Sequence, residues 1–112
     1  MQLNHLNLTV TDPPAVAGFL VRYCGMRLVD DKNKNFIFLS DGNDIVLALM
    51  KGKDVRYPEN FHIGFIQDSR EKVDLINARL RDDGYDVDPP KELHAWTFYV
   101  KLPGAFTIEI LA

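Results

Sequence analysis

One cysteine, one tryptophan, and no apolar run of membrane-spanning length: the 112-residue chain is marked first by what it has little of. The lone Cys24 cannot close an internal disulfide, so the fold must be held by packing, which fits a reducing cytoplasm. Without a run of about 20 apolar residues, no membrane-spanning helix is expected. Met1-Gln2-Leu3 lead straight into a strand pattern, with no basic segment and apolar core of a signal peptide. Positive charge is also scarce. Lys and Arg number 13 against 16 Asp and Glu, and the net charge is −3. That balance supplies no basic footprint for nucleic acid or an anionic membrane. The only local cluster, Lys51 and Lys53 with Arg56, reads as a solvated linker.

What is present is an ordinary globular composition, 46% hydrophobic and 26% charged, in one domain's length of chain. Three polar residues interrupt short apolar runs that read as strands. His5 stands within Leu3 to Leu8, His62 within Phe61 to Phe65, and Glu109 within Phe106 to Leu111. A buried carboxylate or imidazole is costly unless something pairs with it. Two imidazoles and a carboxylate on one face of a metal would leave coordination positions open, as in non-haem iron sites.

The order of elements repeats. Leu3 to Val10 alternates like a strand, Asp12 with Pro13-Pro14 starts a helix, and Gly25 stops it. Three strands follow, over Arg27 to Asp31, Asn35 to Ser40 and Asp44 to Met50. Residues 52–59 form a polar linker. The second half repeats strand, helix and strands: Asn60 to Gln67, a helix opened by an Asp68/Glu71 capping pair and closed at Gly84, then Tyr85 to Val87, Ala95 to Lys101 and Ala105 to Leu111. The expected fold is α+β, with two βαβββ modules (1–51 and 60–112) in a single domain, forming a half-open, mostly antiparallel curved sheet. His5 and His62 take equivalent places, 57 residues apart. By strand parity, Leu6, Leu8 and Val10 pack under the helix and leave His5 and Asn7 on the concave face. The same parity puts Glu109 opposite the packing set of Phe106, Ile108 and Ile110.

Leu3-Asn4-His5-Leu6, Phe61-His62-Ile63-Gly64-Phe65 and Pro103-Gly104 leading into Ile108-Glu109-Ile110 together resemble the vicinal oxygen chelate superfamily. That superfamily includes glyoxalase I, extradiol dioxygenases, fosfomycin-resistance thiol transferases and bleomycin-binding proteins. The resemblance implies a cleft in which His5, His62 and Glu109 hold a divalent metal, Fe(II) or Mn(II) first, with Ni, Co or Zn as alternatives. It implies a small-molecule substrate with vicinal oxygens and a homodimer. Aligning Asp41-Gly42 with Pro103-Gly104 places Leu47 opposite Glu109, where a glyoxalase would carry a fourth ligand, and no carboxylate lies within Ile45 to Met50. That shifts the expectation toward three-ligand members. Tyr99 matches the tyrosine of the dioxygenases, and His94 lies where they carry a histidine, at a shorter spacing. Both are candidate catalytic residues.

A three-residue turn at Leu102 to Gly104 would put Tyr99 on the cleft side, whereas a two-residue turn would put Trp96 and Phe98 there. Asn7, Leu47 and Trp96 are candidate cleft residues. Two function classes follow. One is a metal enzyme with dioxygenase-like or lyase-like activity. The other is a metal-free protein that sequesters a planar ligand, as bleomycin-resistance members do. A thiol transferase of the fosfomycin-resistance type is a further branch, although Pro89-Pro90 stands where its potassium loop would be.

Overall fold

The structure, a computed structural model, describes residues 1–112. The chain divides into two compact units, Met1–Tyr57 and Pro58–Ala112. In the first unit, β1 (His5–Val10) leads into α1 (Pro13–Cys24), followed by β2 (Arg27–Asn33), β3 (Phe36–Ser40) and β4 (Val46–Lys51). The Asp12 carboxylate accepts the Ala15 N–H at 3.2 Å and caps the helix. Pro13 and Pro14 cost no hydrogen bond there, because the first-turn N–H groups have no partner within a helix. Gly25 ends α1 in the left-handed conformation at φ 68°, which lacks a Cβ penalty only for glycine. The sheet runs β1-β4-β3-β2, with β1 parallel to β4 and the other pairs antiparallel. Leu8 and Val10 are buried, and so are Val16, Phe19 and Leu20 of α1. His5 and Asn7 occupy the other face and are exposed.

The second unit repeats this plan with β5 (His62–Ile66), α2 (Arg70–Asp82), β6 (Lys91–Glu92), β7 (Trp96–Lys101) and β8 (Thr107–Leu111). Its sheet order is β5-β8-β7-β6, again with the first strand parallel to the last. The architecture is thus α+β, with two mixed four-stranded sheets. Val73 and Leu80 of α2 are fully buried, as are Ile108 and Ile110 of β8.

Two local expectations are corrected. The cap of α2 is Ser69, whose hydroxyl accepts the Lys72 N–H at 3.3 Å. Asp68 instead pairs with the Lys72 ammonium at 3.0 Å. Tyr85 to Val87 forms no strand, and the edge strand is the two-residue β6. The backbone there is held differently: the buried Asn77 amide donates to the Asp88 carbonyl at 2.8 Å. Pro89 and Pro90 then supply no N–H to a ladder, so pairing with β7 begins at Lys91.

Candidate functional site

Glu109 is the residue around which the second unit's polar side chains gather. It lies mid-strand on β8, between β5 and β7, opposite Gly64 on one side and Tyr99 on the other. It is 3% exposed, so its charge must be matched by neighbours rather than by water. The two carboxylate oxygens face different groups. Oε2 accepts from the Thr97 hydroxyl at 2.7 Å and lies 2.7 Å from His94 Nε2, which therefore donates. Oε1 lies 3.2 Å from His62 Nε2. The Tyr99 hydroxyl is also hydrogen-bonded to the carboxylate, and its ring meets the His62 ring edge-on at 5.5 Å.

The electrostatics follow from these contacts. Burial pushes the Glu109 carboxyl up, but hydrogen bonds from Thr97, His94 and Tyr99 and the charge of His94 outweigh it. The net result holds Glu109 below the ordinary carboxylate range. Tyr99 moves the other way. Burial, the negative charge of Glu109 and its hydrogen bond to Glu109 all keep the phenol protonated to higher pH.

The tautomer of His62 is fixed by its other nitrogen. Nδ1 lies 3.0 Å from the Asn60 carbonyl oxygen, which can only accept, so Nδ1 carries a proton. A neutral His62 then turns a lone pair toward Glu109 Oε1. Two acceptors 3.2 Å apart repel unless a cation joins them, either a proton on Nε2 or a metal ion. The separation suits both, since 3.2 Å is also an ordinary N–H···O distance. Two ligands bound at about 2.1 Å and at a right angle stand about 3 Å apart. No three His, Cys, Asp or Glu side chains form a group that could hold a metal ion. Alongside the His62–Glu109 pair lies a cavity of about 550 Å³, with His62, Tyr99, Thr107 and Lys101 in its wall together with Asp86 and Asp88.

Of the residues singled out in the sequence, His62, His94, Tyr99 and Glu109 are thus brought together. His5 lies on β1 in the first unit, its Nδ1 3.0 Å from Asn4 Oδ1. Asn7, two residues on, is exposed on the same face.

Two cleft assignments need correction. Trp96 lies on the helix side of β7: its indole N–H donates to Asp74 of α2 at 2.8 Å, and the Arg70 guanidinium lies 5.4 Å from its ring centre. Leu47 is buried in the core. The ladders pair His5 with Val46 and His62 with Thr107, which makes Ala48, not Leu47, the counterpart of Glu109. The slip arises because five residues join the strands in both units, 41–45 and 102–106, so Asp41 corresponds to Leu102 rather than Pro103. A one-residue slip exchanges the two faces. Ala48, like Leu47, carries no carboxylate.

The contribution of Thr97 was not assigned from the sequence. Its signal is a threonine two residues before Tyr99 on an otherwise apolar strand, hence on the same face.

The fold is shared with a structure described as a possible glyoxalase from Bacillus cereus, at 48% identity and a TM-score of 0.94, over 100% of this chain and 99% of that one. The fosfomycin resistance protein FosX from Listeria monocytogenes, complexed with Mn(II) and sulfate, aligns over 99% of this chain and 89% of its own at 20% identity and a TM-score of 0.81. Lactoylglutathione lyase from Agrobacterium tumefaciens aligns over 98% and 92% at 17% identity and a TM-score of 0.76. Among curated proteins none matches the chain. Residues 2–107 match the family model described as Glyoxalase/Bleomycin resistance protein/Dioxygenase superfamily, and the chain belongs to that superfamily.

Proposed function

We propose that the protein is a divalent-metal-dependent enzyme acting on a small molecule with two adjacent oxygens. His62 and Glu109 are the ligands from the second unit. His5, at the equivalent position of the first strand in the repeat, is the third ligand that the superfamily resemblance supplies, from the same chain or from a second copy. One observation carries the reading: His62 Nε2 faces Glu109 Oε1 at 3.2 Å while Nδ1 is committed to the Asn60 carbonyl. A backbone acceptor on the far nitrogen is the usual means of aiming a metal-binding imidazole. Fe(II) or Mn(II) suits such a nitrogen and oxygen donor set, with Ni, Co and Zn as alternatives. The metal, when bound, supplies Lewis acidity toward the two substrate oxygens.

The remaining roles belong to the side chains. His94 and Thr97 occupy Oε2, which leaves Oε1 turned toward His62. Tyr99, kept protonated beside Glu109, can donate a hydrogen bond or a proton to a substrate oxygen in the adjoining cavity. The pairing of Tyr99 and His94 around a single carboxylate favours dioxygenase-like chemistry over a glyoxalase, whose fourth carboxylate has only Ala48 in its place. The second reading is a metal-free binding protein, in which His62 is an imidazolium paired with Glu109. It rests on the same 3.2 Å contact.

Metal analysis of protein purified without a histidine tag separates the two readings. The enzyme reading expects near-stoichiometric Fe(II), Mn(II), Ni(II) or Zn(II), lost in His62→Ala and Glu109→Ala and weakened in His5→Ala. A native protein that takes up none of these ions would end it. With metal bound, oxygen consumption on a catechol panel is expected to slow at least tenfold in Tyr99→Phe. A panel without any turnover would remove the dioxygenase subclass.

A further inference from the structure

Thr97 is 1% exposed, on a strand whose other buried residues, Phe98 and Val100, are apolar. A buried hydroxyl costs free energy unless it is hydrogen-bonded, and valine has the same shape and suits a strand as well. The hydroxyl therefore needs a reason beyond packing. It carries one proton and stands between two acceptors, Glu109 Oε2 at 2.7 Å and the Ile110 carbonyl at 3.1 Å. The proton belongs with the shorter, charged contact. β-Branching leaves the side chain few χ1 rotamers, and the antiparallel ladder pairs Thr97 with Leu111, two residues beyond Glu109. The hydroxyl is thus a fixed donor. His94 is the second group on Oε2, also at 2.7 Å, but its support differs. Its side chain is 55% exposed on the short connection between β6 and β7. An exposed side chain can change rotamer without disturbing the core, whereas the Thr97 hydroxyl is enclosed by it.

We infer that Thr97 is the positioning residue of Glu109: its hydroxyl holds Oε2 back, so that the carboxylate presents Oε1 alone to a cation beside His62. A carboxylate with both oxygens free can grip a cation through both, and holding one back leaves a coordination position to water or substrate. The same arrangement lets His94 leave the carboxylate without releasing Oε2, because Thr97 still donates to it. The inference rests on the metal reading above. It deepens that reading by giving the choice of oxygen to one residue, Thr97, which acts through Glu109.

The test uses the full chain as wild type, Thr97→Val, Thr97→Ser and His94→Ala. Thr97→Ala is carried alongside, so that removal of the hydroxyl does not depend on one variant folding. Each protein is loaded with Mn(II), uptake is measured by electron paramagnetic resonance, and metal-bound waters are counted from the relaxation of water protons. Thr97→Val and Thr97→Ala are expected to take up Mn(II) and to hold about one bound water fewer than wild type, as Oε2 fills its place. Thr97→Ser keeps the hydroxyl and is expected to restore the wild-type number. His94→Ala is expected to keep it as well. A merely structural role for Thr97 would lower Tm without changing the water count. Equal counts in wild type and the hydroxyl-free variants overturn the inference and leave the metal reading in place. So does a folded Thr97→Ser that behaves like Thr97→Val, or a His94→Ala that loses the water. Loss of Mn(II) from folded hydroxyl-free variants would mean that Thr97 sustains the whole site rather than choosing the oxygen, and also overturns it. Failure of the wild type to take up Mn(II), or any of the other divalent ions, ends the metal reading and this inference with it.

Discussion

Glu109 illustrates how one buried charge is stabilised by asymmetric neighbours. Burial alone would favour its neutral form, and the donors Thr97, His94 and Tyr99 reverse that preference. The folded carboxyl therefore lies below its ordinary value of 4.5, and the folded state binds fewer protons than the unfolded chain near that pH. The stability this contributes is present above that value and is lost as pH falls through the folded one. In chelator-treated protein, the urea-unfolding free energy of wild type is expected to fall more steeply below about pH 4.5 than that of Glu109→Gln. Parallel curves would mean that the donors around Glu109 do not favour its charged form.

The element that presents His94 is the short connection between β6 and β7. It is closed by the Leu93 N–H donating to the Ala95 carbonyl at 2.9 Å. From outside, α2 grips both of its ends. Arg70 pairs with Glu92 at 2.9 Å, and Asp74 accepts the Trp96 indole N–H at 2.8 Å. The ion pair is exposed on both sides and adds little, so the Trp96–Asp74 bond is the stronger of the two anchors. Trp96 is the only tryptophan, so its emission reports on this contact together with the Arg70 guanidinium beside its ring. Asp74→Ala is expected to shift that emission to the red and to cost about 1 kcal/mol of stability. An unchanged spectrum would show that the indole holds its place without Asp74.

At the scale of the whole molecule, each sheet leaves its first strand at an edge, and apolar side chains stand uncovered near these edges. Leu6 on β1 and Ile66 on β5 are exposed, as is Val29 on the opposite edge strand β2. Uncovered apolar edges in a chain of this size favour association with a second copy. Sedimentation equilibrium is expected to give twice the 12.8 kDa chain mass at micromolar concentration. A mass of one chain would show that the edges are tolerated in the monomer.

The sequence by itself determined the repeat, the two helices and the positions of His62 and Glu109, because strand parity and helix caps are local properties of the chain. Asp12, Pro13 and Gly25 mark α1 with no help from tertiary contacts. For Tyr99 the sequence left both faces open, and the five-residue connection to β8 decided the matter, since it differs from a three-residue turn by a two-residue change in register that preserves the face. Only the tertiary structure decided register and partner. It moved the counterpart of Glu109 from Leu47 to Ala48, turned Trp96 toward α2, and replaced the strand at Tyr85–Val87 with a segment held by Asn77. It also divided the carboxylate between Thr97 and His94 on one oxygen and His62 on the other. Each of these depends on which strand lies beside which and by how many residues it is offset, and pairing across tens of residues leaves no local mark on the chain.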